Sequence, residues 1–139
     1  MTENQISVIK KIYDATSFCA LWYDVPLDRL RAHAWQESTW CREGTDPEIL
    51  SPEGHGKGLF QIDDGAHRFA SCGCVFDILL NTAYAARFLA SLFKEYGDWN
   101  TASKRYNGSG TAARHYETDI EDLIQQKPWM DLIKQAGVI

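Results

Sequence analysis

Helical periodicity dominates the pattern of hydrophobic and polar positions along this chain. Apolar side chains recur every three or four residues over positions 3 to 21, which predicts an amphipathic packing helix. Its apolar face carries Ile6, Ile9, Ile12, Tyr13, Ala15 and Phe18. A second helix is predicted from Pro26 to Glu37, because Asp24-Val25-Pro26 is a helix start with proline pre-set for the first turn.

The strongest helical period lies in residues 75 to 96 and predicts a central, buried helix. Its apolar positions are Phe76, Leu79, Leu80, Ala83, Ala86, Phe88, Leu89, Leu92 and Phe93. Asp98 is expected to cap a short helix that ends at Tyr106, and Asn107-Gly-Ser-Gly110 breaks the pattern. Further helices are predicted from Thr111, as a cap, to Lys127, and from Pro128 to about Gln135.

Turn-forming residues interrupt the helical pattern between the second and third predicted helices. Residues 39 to 57 contain three glycines and two prolines and show no helical period, which predicts a loop. Gly58 to Asp63 alternates apolar and polar residues and predicts a strand or hairpin arm, with a helical turn from Ala66 to Ala70. The sum is a single domain, residues 1–139, of α+β class and predominantly α, with about seven helices and one small β-hairpin.

Composition narrows the function classes. The net charge of −5 and the pI near 5.3 disfavour a nucleic-acid binder, which normally shows a basic face. No apolar run approaches the roughly 20 residues of a membrane span, so no membrane insertion is expected. The first eleven residues lack the apolar core of a signal peptide, so the chain is expected to be made in the cytoplasm, unless a leader was trimmed or a dedicated secretion route is used. Nothing demands more than a monomer.

The four cysteines, Cys19, Cys41, Cys72 and Cys74, allow three disulfide pairings. Cys72-Gly-Cys74 with His67 nearby is a weak metal motif, because zinc pairs usually have two or more residues between the cysteines and a second matching pair. No metal and no cofactor are therefore expected. Buried free thiols and one or two bridges formed after export both stay open.

Two carboxylates occur in different surroundings near the middle of the chain. Glu37 ends an apolar, aromatic segment, where partial burial raises the pKa of a carboxyl group and makes it a proton donor near neutral pH. Asp63 ends the short apolar strand. An acid and base pair needs two such environments. The alternatives are a solvated surface Glu37, and an Asp63 or Asp64 that caps the following turn.

Four short motifs occur in the order typical of one family. They are Glu37-Ser38, Gly58-Leu59-Phe60-Gln61-Ile62, Arg105-Tyr106-Asn107-Gly108, and Tyr116 with Asp119. Together they resemble the goose-type lysozymes and the related lytic transglycosylases, which cut bacterial peptidoglycan. The resemblance covers residues 30 to 126 and implies a lysozyme-like fold, with the hairpin beside a catalytic cleft.

The resemblance also implies roles for individual side chains. Glu37 is the expected general acid, with Tyr116 close to it. The expected substrate-binding residues are Ser38, Gln61, His67, Tyr106, Asn107 and Tyr116. Amides offer donors and acceptors to N-acetyl and hydroxyl groups, and tyrosines offer an apolar face with a polar tip. Taken alone, the tyrosines are typical core residues.

The choice between hydrolase and transglycosylase depends on the residues after Ile62. Asp63-Asp64-Gly65-Ala66-His67 resembles the goose-type lysozymes, which carry an Asp directly after the corresponding Gln-Val pair and a His four residues after that Asp. An inverting glycosidase needs its acid and base roughly 6.5 to 9.5 Å apart. Asp63 is therefore expected to hold the attacking water. The second Asp of some goose-type enzymes is missing, so either Glu53 substitutes for it or Asp63 acts alone. His55 and His67 are titratable, although a loop histidine is usually just a polar contact.

These observations predict a muramidase that hydrolyses the β-1,4 bond between N-acetylmuramic acid and N-acetylglucosamine in peptidoglycan strands. Rival hypotheses are a lytic transglycosylase that forms 1,6-anhydromuramic products with Glu37 alone, a chitinase on the same fold, and a non-catalytic glycan-binding or assembly module. The expected place of action is the cell wall, as a phage endolysin or as an exported effector. An immunity or inhibitor protein stays open as a partner.

Overall fold

The computed structural model describes residues 1–107 and 111–139, without the side chains of residues 111 to 114. It confirms a predominantly helical domain with a small two-stranded sheet. The α-helices in this part of the chain are α1 Glu3–Tyr23, α2 Leu27–Gly44, α3 Ile78–Tyr96, α4 Trp99–Tyr106, α5 Thr111–Gln126 and α6 Trp129–Gln135. Two 3₁₀ turns, Arg68–Ser71 and Gly73–Phe76, precede α3. About seven helices were expected, and the described residues form six α-helices.

Helix α3 packs against α1 and α4, and α2 packs against α1 and α5. The expectation that α3 is buried holds for only part of its surface, because Leu79 and Leu80 are 48% and 45% exposed. The helical pattern also wrongly assigned Phe18 to the apolar packing face of α1. It stacks on Trp22 at the surface, while Cys19 and Ala20 face the core.

The predicted strand from Gly58 to Asp63 is wrong over most of its length. The antiparallel sheet consists of β1 Gly56–Lys57 and β2 Ile62–Asp63, and residues 58 to 61 form the turn between them. Gly58 and Gln61 have φ angles of 76° and 50°, which no strand residue adopts. Buried Asn81 of α3 stabilises this turn by accepting a hydrogen bond from the Phe60 N–H at 2.9 Å.

Helix α2 continues past its predicted end at Glu37. Its right-handed part stops at Ser38, and Thr39 to Glu43 then form a left-handed turn with φ between 49° and 57°. Non-glycine residues avoid this conformation because Cβ approaches the following carbonyl oxygen. The turn is held because Trp40 is fully buried and stacks on Trp129 of α6, with ring centroids 6.3 Å apart.

Capping side chains set the ends of the helices near the hairpin. Asp98 caps α4 as predicted, since its carboxylate accepts the Thr101 N–H at 2.9 Å. The predicted cap at Thr111 and the glycines of the predicted break, Gly108 and Gly110, lie outside the described residues and side chains. None of the described helices is both long enough and apolar enough to cross a membrane.

Candidate active site

A cavity of about 560 Å³ lies where the hairpin meets the end of the right-handed part of α2, together with α3 and α4. It brings together both predicted carboxylates and four of the predicted binding side chains. The residues that line it are Glu37, Gln61, Ile62, Asp63, Ala66, His67, Phe88, Arg105, Tyr106 and Asn107. Asp63, Ala66, Arg105 and Asn107 are exposed, so the cavity opens to solvent.

Glu37 projects from the last right-handed turn of α2 into this cavity. Burial raises the pKa of its carboxyl group from 4.5 to about 8, and a hydrogen bond to the Tyr116 hydroxyl partly opposes this shift. The group is therefore protonated at neutral pH, as a general acid must be. Burial, followed by the smaller effect of the neighbouring Glu37 carboxyl group when it is ionised, raises the pKa of Tyr106 and Tyr116, so both phenols keep their protons.

Asp63 is a solvent-exposed carboxylate at the end of β2. Its Oδ1 atom accepts the Gly65 N–H at 2.7 Å, and its carbonyl accepts the His67 N–H at 2.9 Å. The turn-capping alternative is thus seen in the structure. The second carboxylate oxygen has no donor among the described residues, so it can accept a hydrogen bond from a water molecule or a ligand.

Gln61 and Tyr106 line the cavity and also brace the hairpin. The Gln61 amide nitrogen donates to the carbonyls of Gly58 and Ile49, at 2.9 and 3.2 Å. The Tyr106 hydroxyl donates to the Phe60 carbonyl at 3.0 Å. Both side chains therefore fix the hairpin turn in place beside Glu37.

His67 and Asn107 lie at the rim of the cavity. The Nδ1 atom of His67 lies 2.7 Å from the Tyr84 hydroxyl, and its ring meets the edge of Phe88 with centroids 4.8 Å apart. Burial lowers the pKa of His67, and the charge of Asp63 opposes this, so the ring is neutral at neutral pH. Asn107 is exposed at the C-cap of α4, where its amide is open to a ligand.

Ser38 and Tyr116 do not line the cavity, so the expectation that they contact substrate is corrected. Ser38 is buried, and its hydroxyl donates to the Leu59 carbonyl at 2.7 Å while accepting the Cys41 N–H at 2.9 Å. It ties α2 to the hairpin turn. Tyr116 is 4% exposed and lies behind Glu37, close to the acid as predicted but screened from any ligand.

Several contributors to this region were missed by the sequence analysis. Phe88 and Arg105 line the cavity. His33, one helical turn before Glu37, is fully buried and lies with Nδ1 2.8 Å from the Tyr116 hydroxyl and Nε2 2.8 Å from the Ser103 hydroxyl. The one sequence signal for His33 was its spacing, since residues four apart share a helix face.

The remaining candidates lie elsewhere. Glu53 is exposed in the loop and does not line the cavity. His55 pairs with Asp64 at 2.7 Å, and this hydrogen bond lowers the pKa of Asp64. Cys72 and Cys74 form a disulfide, while Cys19 and Cys41 are buried thiols. Within the described part of the chain, no three His, Cys, Asp or Glu side chains gather closely enough to hold a metal ion.

A second cavity of about 550 Å³ lies between α1 and the start of α3. Its lining is mainly apolar, including Val8, Ala15, Phe18 and Ile78. Its charged side chains, Lys11, Asp14 and Asp77, are exposed, unlike the buried carboxyl group of Glu37. Acid chemistry therefore belongs to the cavity that contains Glu37.

The chain matches no protein-family model, no curated protein and no solved structure. The site is therefore interpreted from its own geometry and chemistry.

Proposed function

We propose that this protein is a peptidoglycan-cleaving muramidase with a lysozyme-like fold. The observation that carries the proposal is the cavity with two unlike carboxyl groups. Glu37 has a pKa raised to about 8, and Asp63 is a solvent-exposed carboxylate with one unused oxygen. Glycosidases use such a pair as proton donor and as base or nucleophile.

In the proposed mechanism, Glu37 protonates the glycosidic oxygen that leaves. Positive charge then develops on the sugar ring, and the unused oxygen of Asp63 orients a water molecule and accepts its proton as the water attacks the anomeric carbon. His67 is an uncharged side chain that lines the cavity near Asp63, and it accepts no proton in this mechanism. The reaction requires neither metal nor nucleotide.

A polymeric glycan suits the open side of the cavity. The rings of Phe88 and Tyr106 supply apolar faces for sugar rings, and exposed Asn107 supplies an amide for hydroxyl or N-acetyl groups. Arg105 places a cation at the same wall. Muramic acid carries a lactyl group that leads to acidic peptide stems, so this cation favours peptidoglycan over neutral chitin.

A lytic transglycosylase is the second candidate, and one contact favours it. Asp63 Oδ1 accepts the Gly65 N–H, as a purely structural turn residue does. In that reaction Glu37 acts alone, first as acid and then as base, while a hydroxyl of the substrate closes an anhydro ring in place of water.

The deciding experiment is mass spectrometry of purified peptidoglycan digested in heavy-oxygen water. We expect reducing-end muramic products with one heavy oxygen from the wild type and none from Glu37→Gln. We expect Asp63→Asn to lose about 100-fold or more in kcat. Asp64→Asn, a neighbouring carboxylate outside the cavity, is the matched control and should retain activity.

Each other outcome selects a different conclusion. Anhydromuramic products with full activity in Asp63→Asn would establish the transglycosylase. Solubilisation of chitin but not of peptidoglycan would establish a chitinase. Binding of wall polymer without any product from the wild type would refute an enzymatic role.

A further inference from the structure

A hydrogen-bond network of buried polar side chains lies behind Glu37. Arg29 Nη1 donates to the Ser103 hydroxyl at 2.9 Å, and the hydroxyls of Ser103 and Tyr116 each lie 2.8 Å from one ring nitrogen of His33. The Tyr116 hydroxyl in turn meets the Glu37 carboxyl group. His33 and Ser103 are fully buried, and Arg29 and Tyr116 are nearly so.

Counting donors and acceptors shows which group donates each hydrogen bond of this network. Arginine has no acceptor, so Arg29 fixes Ser103 Oγ as the acceptor of that bond. Among the described residues, the one acceptor in range of the Ser103 hydroxyl hydrogen is Nε2 of His33. A neutral imidazole that accepts at Nε2 carries its proton on Nδ1, and that N–H must donate to the Tyr116 oxygen. The Tyr116 hydrogen is then free to point at Glu37.

The opposite tautomer fits this site less well. With the proton on Nε2, Ser103 would accept two hydrogen bonds, and its own buried hydrogen would have no acceptor within the described part of the chain. Tyr116 would donate to His33 instead of Glu37. An unpaired polar group in a dry interior is costly, which favours the first arrangement.

We propose that His33 is a positioning residue that, as the Nδ1–H tautomer, directs the Tyr116 hydroxyl onto the Glu37 carboxyl group and so sets the orientation and proton affinity of the acid. The proposal rests on the proposed function of Glu37 as the general acid. Arg29 fixes the donor direction of the hydrogen-bond network, and its own charge is balanced by Glu121 of α5 at 2.6 Å.

The charges around His33 keep its ring neutral. Burial and the neighbouring Arg29 charge lower the pKa of His33 to about 3, so it carries one proton throughout the working range of most enzymes. The ionisable groups that face it are Arg29 and the Tyr116 phenol, with the Tyr106 ring at its edge 4.9 Å away. Since the ring stays neutral, it orients the Tyr116 hydroxyl without adding a charge.

The tautomer can be read directly by nitrogen-15 NMR of the full chain. We expect the His33 ring to show a protonated Nδ1 and an unprotonated Nε2 near neutral pH. The His33→Asn spectrum identifies the signal among the four histidines. A protonated Nε2 would overturn the proposal, because Tyr116 would then donate away from Glu37.

Two isosteric variants separate positioning from mere packing. The amide nitrogen of Asn falls where Nδ1 lies, so His33→Asn keeps the donor to Tyr116. The amide of Gln falls where Nε2 lies, so His33→Gln keeps the Ser103 contact and loses the donor. His33→Leu loses both but tests packing, and the Asn and Gln pair remains decisive if the Leu variant does not fold.

The readouts are the Glu37 carboxyl pKa, by carbon-13 NMR, and the pH profiles of kcat and KM. In His33→Gln we expect the Glu37 pKa to rise, the alkaline limb of activity to move to higher pH, and kcat to fall about tenfold with KM unchanged. His33→Asn should restore the wild-type values. Equal Glu37 pKa values in the Asn and Gln variants would contradict the proposal.

The two proposals fail in different ways. The tautomer and the Glu37 pKa are measured without substrate. If both are as expected and peptidoglycan is not cleaved, the proposed function fails and the role of His33 in setting the Glu37 carboxyl stands. If peptidoglycan is cleaved and the proton lies on Nε2, the muramidase stands and the role of His33 fails.

Discussion

Replacing Glu37 by Gln should stabilise this protein, and increasingly so as the pH rises. The raised pKa means that the folded state holds a proton that the unfolded chain releases near pH 4.5. The stability that this proton provides is complete below about pH 4.5 and is lost as the pH rises to about 8. Glutamine resembles the neutral acid and escapes that loss.

The magnitude follows from the two pKa values. A rise from 4.5 to about 8 corresponds to roughly 5 kcal/mol in favour of the protonated form. A domain of this size is stable by roughly 5 to 15 kcal/mol, so the ionised acid removes a large share of the total. Part of this cost is what keeps the acid ready to donate its proton.

The assay is urea unfolding of the wild type and Glu37→Gln over a series of pH values. We expect nearly equal free energies of unfolding at about pH 4 and a difference of several kcal/mol, in favour of the variant, at about pH 9. Glu53→Gln changes the same functional group in the exposed loop and is the matched control. A difference between wild type and Glu37→Gln that does not grow with pH would refute the reasoning, and this test does not depend on the proposed function.

Three further predictions concern activity and the hairpin. Turnover should fall as the pH rises above about 8, because Glu37 then loses its proton, and a pH profile of kcat/KM with a flat alkaline side would contradict this. Gly58→Ala should lower the free energy of unfolding by roughly 2 to 3 kcal/mol, measured by heat or urea, since φ is +76° and a Cβ would lie 2.6 Å from the Asn81 amide. Gly54 has a similar φ of +81° in open space, so Gly54→Ala is the control, and an equal loss there would exclude the contact as the cause. Arg105→Gln should lower the preference for peptidoglycan over chitin oligomers roughly fivefold in kcat/KM, whereas Lys104→Gln, one position away and outside the cavity lining, should not.

The helices could be predicted because their signals are local. Asp98 satisfies backbone donors three residues ahead, and the periods of α1 and α3 arise from apolar faces on single segments. The pattern failed where a distant contact decides the outcome. Nothing in residues 58 to 63 shows that Asn81 will hold a turn there, so alternation suggested a strand.

The two carboxylates in the cavity could be predicted from the sequence better than the side chains behind Glu37. Glu37 and Asp63 were identified by resemblance and by their apolar surroundings, and the structure places both in one cavity. Of the side chains behind the acid, Tyr116 was identified by resemblance, whereas His33 and Ser103 were not. Ser103 and Tyr116 lie 70 and 83 residues from His33 in sequence, and only folding brings them together.

The left-handed turn after Ser38 affects when the cavity around Glu37 forms during folding. Five consecutive non-glycine residues in this conformation cost roughly 5 to 10 kcal/mol in isolation, so the turn cannot form from local preference. Its compensation is the burial of Trp40 against Trp129, near the far end of the chain. We therefore expect the turn, and the placement of Glu37 next to it, to form late in folding, after α6 has docked. A newly made chain would form its helices first and the complete cavity around Glu37 last.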